Sequence, residues 1–497
     1  MMRKRSIIRG LSALVLAGYA GAASSQETLL TGVLNGLVPG SEVTWSSGVS
    51  SSGTEIYEDL FISLGGTRAR AAQVRVTPDG AIARVEADGV VLNLDADPRF
   101  ALEISRLSFS LSAPLIRASP DGTGVIDPCR IGQGGNAVRA RGVRLVRDVG
   151  LDPSKRVQSE LQIGEVSFRQ ETGPAGSGCE LLLSGRADGL LEVRSDKSGF
   201  RIDRWEADLS LPGSVETLLS GAAPDLTLTV RFGGVERQLP GGGAVANVRD
   251  GTLRIAAPAL SAVPVLTAFL KTRDAPVPER DAALMTALLP ADIVVEAAIN
   301  GVGVLAEALI PGGLISGLSR ASLSTVTGNY EATARLRGGQ LALDVGSQIT
   351  GVGRTRVETR MRLSPRLEAA GPVGVWPRLE AVLPRIGPET ATLTHRDEGL
   401  LRAIELISGS SVSVLAAIYL EEGVEAAPET LRPALRRAVS DLARLSAMSA
   451  SGEGARLTLS PVTDLSVQEI LQLLGLRPEL AYELIGTEIG PAPAPPD

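Results

Sequence analysis

Histidine is almost missing from this chain: His395 stands alone among 497 residues. Its absence elsewhere removes histidine-based metal clusters and makes any serine-histidine-aspartate chemistry depend on one side chain. That side chain lies in Ala391-Thr392-Leu393-Thr394-His395-Arg396-Asp397, the setting of a strand end open to solvent. The chain also lacks a Gly-x-Ser-x-Gly elbow, a phosphate loop closing on Gly-Lys-Ser/Thr, and a Cys-x-x-Cys pair. Gly301-Val302-Gly303 and Gly351-Val352-Gly353 lack the third glycine and the strand-then-helix setting of a dinucleotide loop, and read as turns. No catalytic, cofactor-binding or metal-ligating set is assigned, and the chain is read as non-enzymatic.

Aromatic residues make up only 3% of the sequence. Burial therefore falls to Leu, Val, Ile and Ala, and a glycan site built on stacking rings has few platforms: Trp45, Trp205 and Trp376. Trp205, in Ile202-Asp203-Arg204-Trp205-Glu206-Ala207, reads as core packing. Paired acids are compatible with a cell-wall glycan-active enzyme, the third-ranked reading. However, Glu86, Asp95, Glu103, Glu165, Glu192, Asp203 and Asp208 fall one by one between apolar residues, as on a solvated sheet face.

Long apolar runs are missing too, with one short exception at the start. Arg3, Lys4, Arg5 and Arg9 precede an apolar stretch from Leu11 to Ala20, too short for a bilayer that needs roughly twenty residues. Small residues follow at Ala20-Gly21-Ala22 and Ala23-Ser24-Ser25. This is the order of a cleaved secretory signal over residues 1–25, with the mature chain starting near Gln26 in the periplasm. Without those four bases, 45 basic residues face 56 acidic ones. Nucleic-acid affinity comes mainly from neutralised phosphates, so nucleic acid is not an expected partner.

Cysteine occurs twice, at Cys129 and Cys179, in turn-like surroundings (Asp127-Pro128-Cys129 and Gly176-Ser177-Gly178-Cys179). In an oxidising compartment such a pair is more often bridged than free. Two reduced buried thiols are the alternative, which fits those flanks less well.

What is abundant is period-two alternation from residue 40 to 255, the mark of half-buried antiparallel strands. Its runs are separated by Asp79-Gly80, Asp88-Gly89, Asp121-Gly122, Asp188-Gly189 and Asp250-Gly251, which read as hairpin turns. From 258 to 320 the period becomes that of amphipathic helices, as in Leu260, Val263, Leu266, Phe269 and Leu270. Strands return at Ala321 to Leu363, with a hairpin at Gly338-Gly339. Another hairpin is expected through Asp397-Glu398-Gly399, then helices near 411 to 421 and 429 to 446, with Arg456 to Leu459 as the last strand. The fold class is α+β, mainly β: long antiparallel meandering curled sheets with amphipathic helices packed on them. The expected organisation is a β-rich domain over 26–257, a helical connecting segment over 258–320, a second α+β domain over 321–487 and a disordered Pro-rich tail over 488–497. Gly251 to Pro258 and Gly454 to Pro461 both run from a strand through proline to a helix. A tandem repeat is one reading of that likeness, and common punctuation is the other.

The segment Thr28 to Leu37, then Gly40-Ser41-Glu42-Val43-Thr44-Trp45 and Leu60-Phe61-Ile62-Ser63-Leu64, resembles the start of alphaproteobacterial periplasmic proteins of unknown function. The ending, Leu431-Arg432-Pro433-Ala434-Leu435 and then Ala455 to Pro461, is similar to theirs. More distantly the rhythm of the chain resembles AsmA-like and YdgA-like envelope proteins. That likeness implies lipid handling or envelope maintenance; the chain departs from AsmA-like proteins in lacking a retained N-terminal anchor. The leading expectation is an envelope component binding lipid or another apolar ligand. The alternative is a scaffold pairing with an envelope protein through its sheet edges.

Intact-mass measurement of the exported protein is expected to give a start near Gln26 and no thiol open to alkylation before reduction. Reduction is expected to cost about 4 kcal/mol of stability in the chain-entropy picture. Two alkylated cysteines in the native protein would contradict the bridge.

Overall fold

The computed structural model describes the chain from Glu42 to Pro493. Residues 65–66, 80–81, 95–96, 112–116, 119–123, 126–135, 150–156, 176–177, 212–224, 240–243, 273–276, 306–324, 364–385, 451–453 and scattered positions within 403–430 lie outside the description. The expected leader, Asp95, Asp121-Gly122, Cys129, Trp376 and the last four residues are thus among those not described. The protein is mainly β, and the chain divides into two compact units, Met1–Ala244 and Val245–Asp497.

The first unit contains β1 (Glu42–Thr44), β2 (Ser47–Ser51), β3 (Thr54–Leu64), β4 (Thr67–Asp79), β5 (Ile82–Leu94) and β6 (Asp97–Leu111). A short pair follows, β7 (Arg117–Ala118) with β8 (Gly124–Val125), and then β9 (Asn136–Val149), β10 (Val157–Ala175), β11 (Gly178–Arg194), β12 (Gly199–Leu211) and β13 (Leu226–Gln238). The order across the sheet is β3, β4, β5, β6, β9, β10, β11, β12, β13, every pair antiparallel. β1 and β2 both pair with β3, at its two ends. The meander expected from the alternation is therefore present.

One line of residues crosses all nine of these strands where the pairing skips a step. On every second strand the residue there has a left-handed backbone: Asp59 (φ 50°), Gly89 (62°), Gly142 (58°), Gly189 (64°) and Gly234 (61°). The strands between supply Ala72, Ser105, Gly164 and Asp203. Left-handed conformations clash with a Cβ, which explains four glycines out of five. An added Cβ at Gly142 would also lie 2.4 Å from the Ser105 hydroxyl.

The line changes which residues share a face. Residues three apart on a regular strand point to opposite sides. Here Tyr57 and Leu60, Val74 and Ala71, and Ala140 and Val143 are all three apart, yet all six belong to a single buried cluster. The bulge-like residue resets the pleat and bends the strand, as an extra residue in a ladder does. Two expected turns are corrected by this. Asp88-Gly89 and Asp188-Gly189 lie inside β5 and β11, because glycine's access to positive φ serves a bend there and not a reversal. Asp250-Gly251 likewise lies within a strand, whereas β4 does end at Asp79.

The second unit contains β14 (Ala244–Ala257), α1 (Ala259–Lys271), α2 (Val277–Leu288), β15 (Asp292–Leu305), β16 (Thr325–Arg337), β17 (Gln340–Ile349), β18 (Gly353–Leu363) and β19 (Ile386–Asp397). It ends with α3 (Arg432–Ala450), β20 (Ala455–Leu459), α4 (Val467–Leu476), α5 (Pro478–Ile485) and β21 (Thr487–Pro491). Strands β14 to β21 pair antiparallel in chain order. Gly338 (φ 55°) and Gly339 (φ 77°) make the two-residue turn expected of them. Ser466 and Glu469 form a capping box that starts α4. Arg437 on α3 lies over the Tyr482 ring of α5, 5.0 Å from its centre.

Four expectations change here. The segment read as helical over 258–320 contains β15, where Ile293, Val294, Val295, Ile299, Val302 and Val304 favour a strand. Gly301-Val302-Gly303 is part of that strand, at a shift of register and not in a turn. Asp397-Glu398-Gly399 is not a hairpin: Asp397 accepts from the N–H groups of Gly399 and Leu401 at 3.1 Å, capping the turn that leaves β19. Finally, the tail expected from 488 begins as β21, with Ile489 opposite Leu457. Pro491 fits there at the end of β21, whose register among the described residues is with β20.

Gly142→Ala is expected to cost about 2 kcal/mol or more through the left-handed backbone and the close serine. Gly490→Ala, whose Cβ would meet nothing within 4 Å, is the control. Urea denaturation that ranks the two variants equally would contradict the role assigned to this line.

Candidate functional site

Beside the line of left-handed residues, on each side, runs an apolar row. On β9 to β13 one row carries Ala140, Val166, Ala187, Trp205 and Phe232 in register, and the other carries Val143, Ile163, Leu190, Ile202 and Val235. Toward β3 the same rows are buried, as at Leu60 and Val74. Toward β13 they are not: Val166, Ile163, Leu190, Ile202, Trp205, Phe232 and Val235 are only half-buried. Trp205 spreads over Gly185, where an added Cβ would lie 3.5 Å from the ring, but it is half-buried and stands outside the buried core expected for it.

The opposite face of the same strands is ionic. Glu165 accepts from Arg139 at 2.6 Å and Arg141 at 2.9 Å, and Arg144 reaches Glu160 at 2.8 Å and Glu103 at 3.3 Å. Arg106 pairs with Glu86, Arg201 with Asp203 and Arg231 with Asp208. The Arg144 hydrogen bond, helped by Gln162, pulls the Glu160 carboxyl down to about 2, and Arg139 followed by Arg141 lowers that of Glu165. Most of the acids read as a solvated face thus sit in an ion-pair lattice, which keeps this side wet while the other stays apolar.

Glu192 departs from that reading. It is 5% exposed and stands in the apolar face, with Leu161 opposite on β10 and Phe200 opposite on β12. Ser159, 1% exposed, donates a 2.6 Å hydrogen bond to it, and the Arg194 Nε lies 3.4 Å away. Ser159 pairs directly with Arg194 on one side and with Arg147 on the other. The Nε of Arg147 is buried and meets no hydrogen-bond acceptor among the described residues. Sequence reading passed over this cluster by grouping Glu192 with the surface acids. The available signal was its phase, because Glu192 and Arg194 share the alternation of Leu190.

The remaining site residues are not brought together. His395 lies on β19 opposite Thr355 and Ala455, its Nδ1 2.9 Å from the Thr355 hydroxyl. The nearby Asp397 carboxylate is engaged by backbone N–H groups and does not orient the imidazole. The backbone of Cys179 pairs with Pro174 beside the β10–β11 turn, and its expected partner Cys129 lies outside the described residues. No helix among the described residues is long and apolar enough to cross a membrane. No protein-family model and no curated protein matches the chain.

Glu160 titrates lower when folded than when unfolded, so its contribution to stability is complete above about pH 4.5 and is lost as pH falls toward 2, and the lowered Glu165 carboxyl acts in the same direction. Thermal melts between pH 7 and pH 2.5 are expected to show Glu160→Gln losing less than the parent below pH 4.5. Parallel losses would remove the ion pair from the acid response.

Proposed function

We propose that this chain is a non-enzymatic periplasmic component of cell-envelope maintenance that binds lipid or another apolar ligand. The observation that supports this reading most is the pair of apolar rows continuing, half-buried, across β10 to β13 while the opposite face is saturated with ion pairs. In this reading the bent sheet is a curled wall and the ligand lies along its inner side. Aliphatic contact is non-directional, so such a wall accepts chains of varied length and unsaturation. Burying about ten methylenes contributes roughly 8 kcal/mol before association and ordering costs, which leave a net affinity weaker than micromolar for that length of chain. The secretory leader puts the protein where envelope lipids are handled, and the likeness to AsmA-like and YdgA-like proteins points the same way. The disulfide between Cys129 and Cys179 belongs to this proposal.

A second reading, a scaffold joined through a sheet edge to an envelope protein, draws on β2. It pairs only with β3 among the described residues, and its Val49 is 63% exposed.

The purified protein is expected to take up fluorescent phospholipid. Ile202→Asp on the apolar face should reduce uptake about tenfold or more while circular dichroism stays unchanged. Ser167→Asp on the ionic face should leave it intact. Absence of uptake by the parent protein, with crosslinking at Val49 capturing one envelope protein, would replace the lipid reading by the scaffold.

A further inference from the structure

The cluster around Arg147 gives the apolar face a polar end. Arg147, Ser159 and Arg194 lie in register on β9, β10 and β11, and the next position of the same phase on β11 is Glu192. Glu192 holds the Ser159 hydroxyl at 2.6 Å and the Arg194 Nε at 3.4 Å. Arg147 is left out of this arrangement. Its Nε is buried without an acceptor among the described residues, and a desolvated guanidinium donor with nothing to bond is costly. Arg194 interacts with the carboxylates of both Glu192 and Asp196, which leaves Arg147 as the guanidinium of the cluster without an acidic partner among the described residues. A guanidinium also presents the planar fork that fits carboxylate and phosphate oxygens.

What adjoins the cluster sets the class of ligand. Leu145 and Leu161 on β9 and β10, and Phe200 on β12, share the register row of Glu192. Beyond them come Ile163 and Val143, and past the left-handed line Val166 and Ala140. From Ser159 to Val166 the wall runs roughly 23 Å at ordinary strand rise, the scale of a long acyl chain. A free inorganic anion would satisfy Arg147 but would leave this wall uncovered.

We propose that Arg147, together with the Arg194 guanidinium, forms an oxyanion site for the carboxylate or phosphate head of a single-chain amphiphile whose tail lies on the apolar rows. The proposal rests on the lipid-binding reading and adds the head-group class to it. Glu192 is a positioning residue: it fixes Ser159 and Arg194 so that the open donor at the site is Arg147.

The test compares four probes on the exported full-length protein by calorimetry: oleate, oleoyl lysophosphatidate, oleyl alcohol and inorganic phosphate. Both acids are expected to bind roughly tenfold or more tightly than the alcohol, as one charge-assisted hydrogen bond to a buried group allows. Arg147→Gln should bring both acids down to the level of the alcohol without changing alcohol binding, and Arg147→Lys should recover part of the preference. Arg194→Gln offers a second route to the same loss should Arg147→Gln fail to fold. Equal binding of acids and alcohol by the parent protein overturns the oxyanion site and leaves the apolar-face reading standing. Binding of no amphiphile overturns both, and so does binding of phosphate alone.

Discussion

The left-handed residues crossing β3 to β13 are the constraint on which the first unit depends. Hydrogen bonding locks neighbouring strands in register, so a bend in one strand must be matched in the next. Here the match is made by Gly89, Gly142, Gly189 and Gly234 on alternate strands, with small or short-chained residues between them. Asp59 is the exception, and aspartate is one of the few side chains that visit this conformation routinely. Its carboxylate is also held by Arg70 at 2.7 Å. Because the line resets the pleat, the rows of Tyr57 and Leu60 share one cluster. Without it, alternation alone would send one of the two rows to solvent.

Two chemically opposite faces follow from the same strands. The arginines of the ionic face are shared among carboxylates from neighbouring strands, as Glu165 is between Arg139 and Arg141 and as Arg144 is between Glu160 and Glu103. Single exposed pairs of this kind are worth little. Their collective effect is to fix which side of the sheet is wet, so that the aliphatic side is the one available for burial. Glu192, Ser159 and Arg147 interrupt that aliphatic side at one end, and an interruption of that kind gives a greasy surface a direction.

Much of the architecture was legible because alternation is a local property. The strands of the first unit, the Gly338-Gly339 turn, the helix that became α3 and the β20 strand all stand near where their patterns put them. The failures have a common physical origin. An Asp-Gly pair signals only that φ can be positive, and positive φ occurs in turns and in mid-strand bends alike, so Asp88-Gly89 and Asp188-Gly189 looked like reversals. The same bend defeats counting by twos. Leu181 and Leu183 share the phase of Ala187, yet beyond Gly189 the apolar phase passes to Leu190 and Ile202's partners, leaving Leu191 and Val193 on the ionic side. Counted by twos, Glu192 therefore reads as a surface acid. β15 and β21 differ: each pairs with the preceding strand across intervening helices, and the β-branched run Ile293 to Val295 is the local signal that marks β15.

The proposed apolar ligand is assigned to the face of the first unit that this line of bends creates. Photo-crosslinking with an acyl chain carrying a diazirine near its terminus tests that assignment most directly, with the labelled residues read by mass spectrometry. Labels should fall on the apolar rows, at positions such as Val166, Trp205 and Ile202. Labels on Arg139, Arg186 or Arg231 of the ionic face, or spread without preference between the two faces, would contradict it.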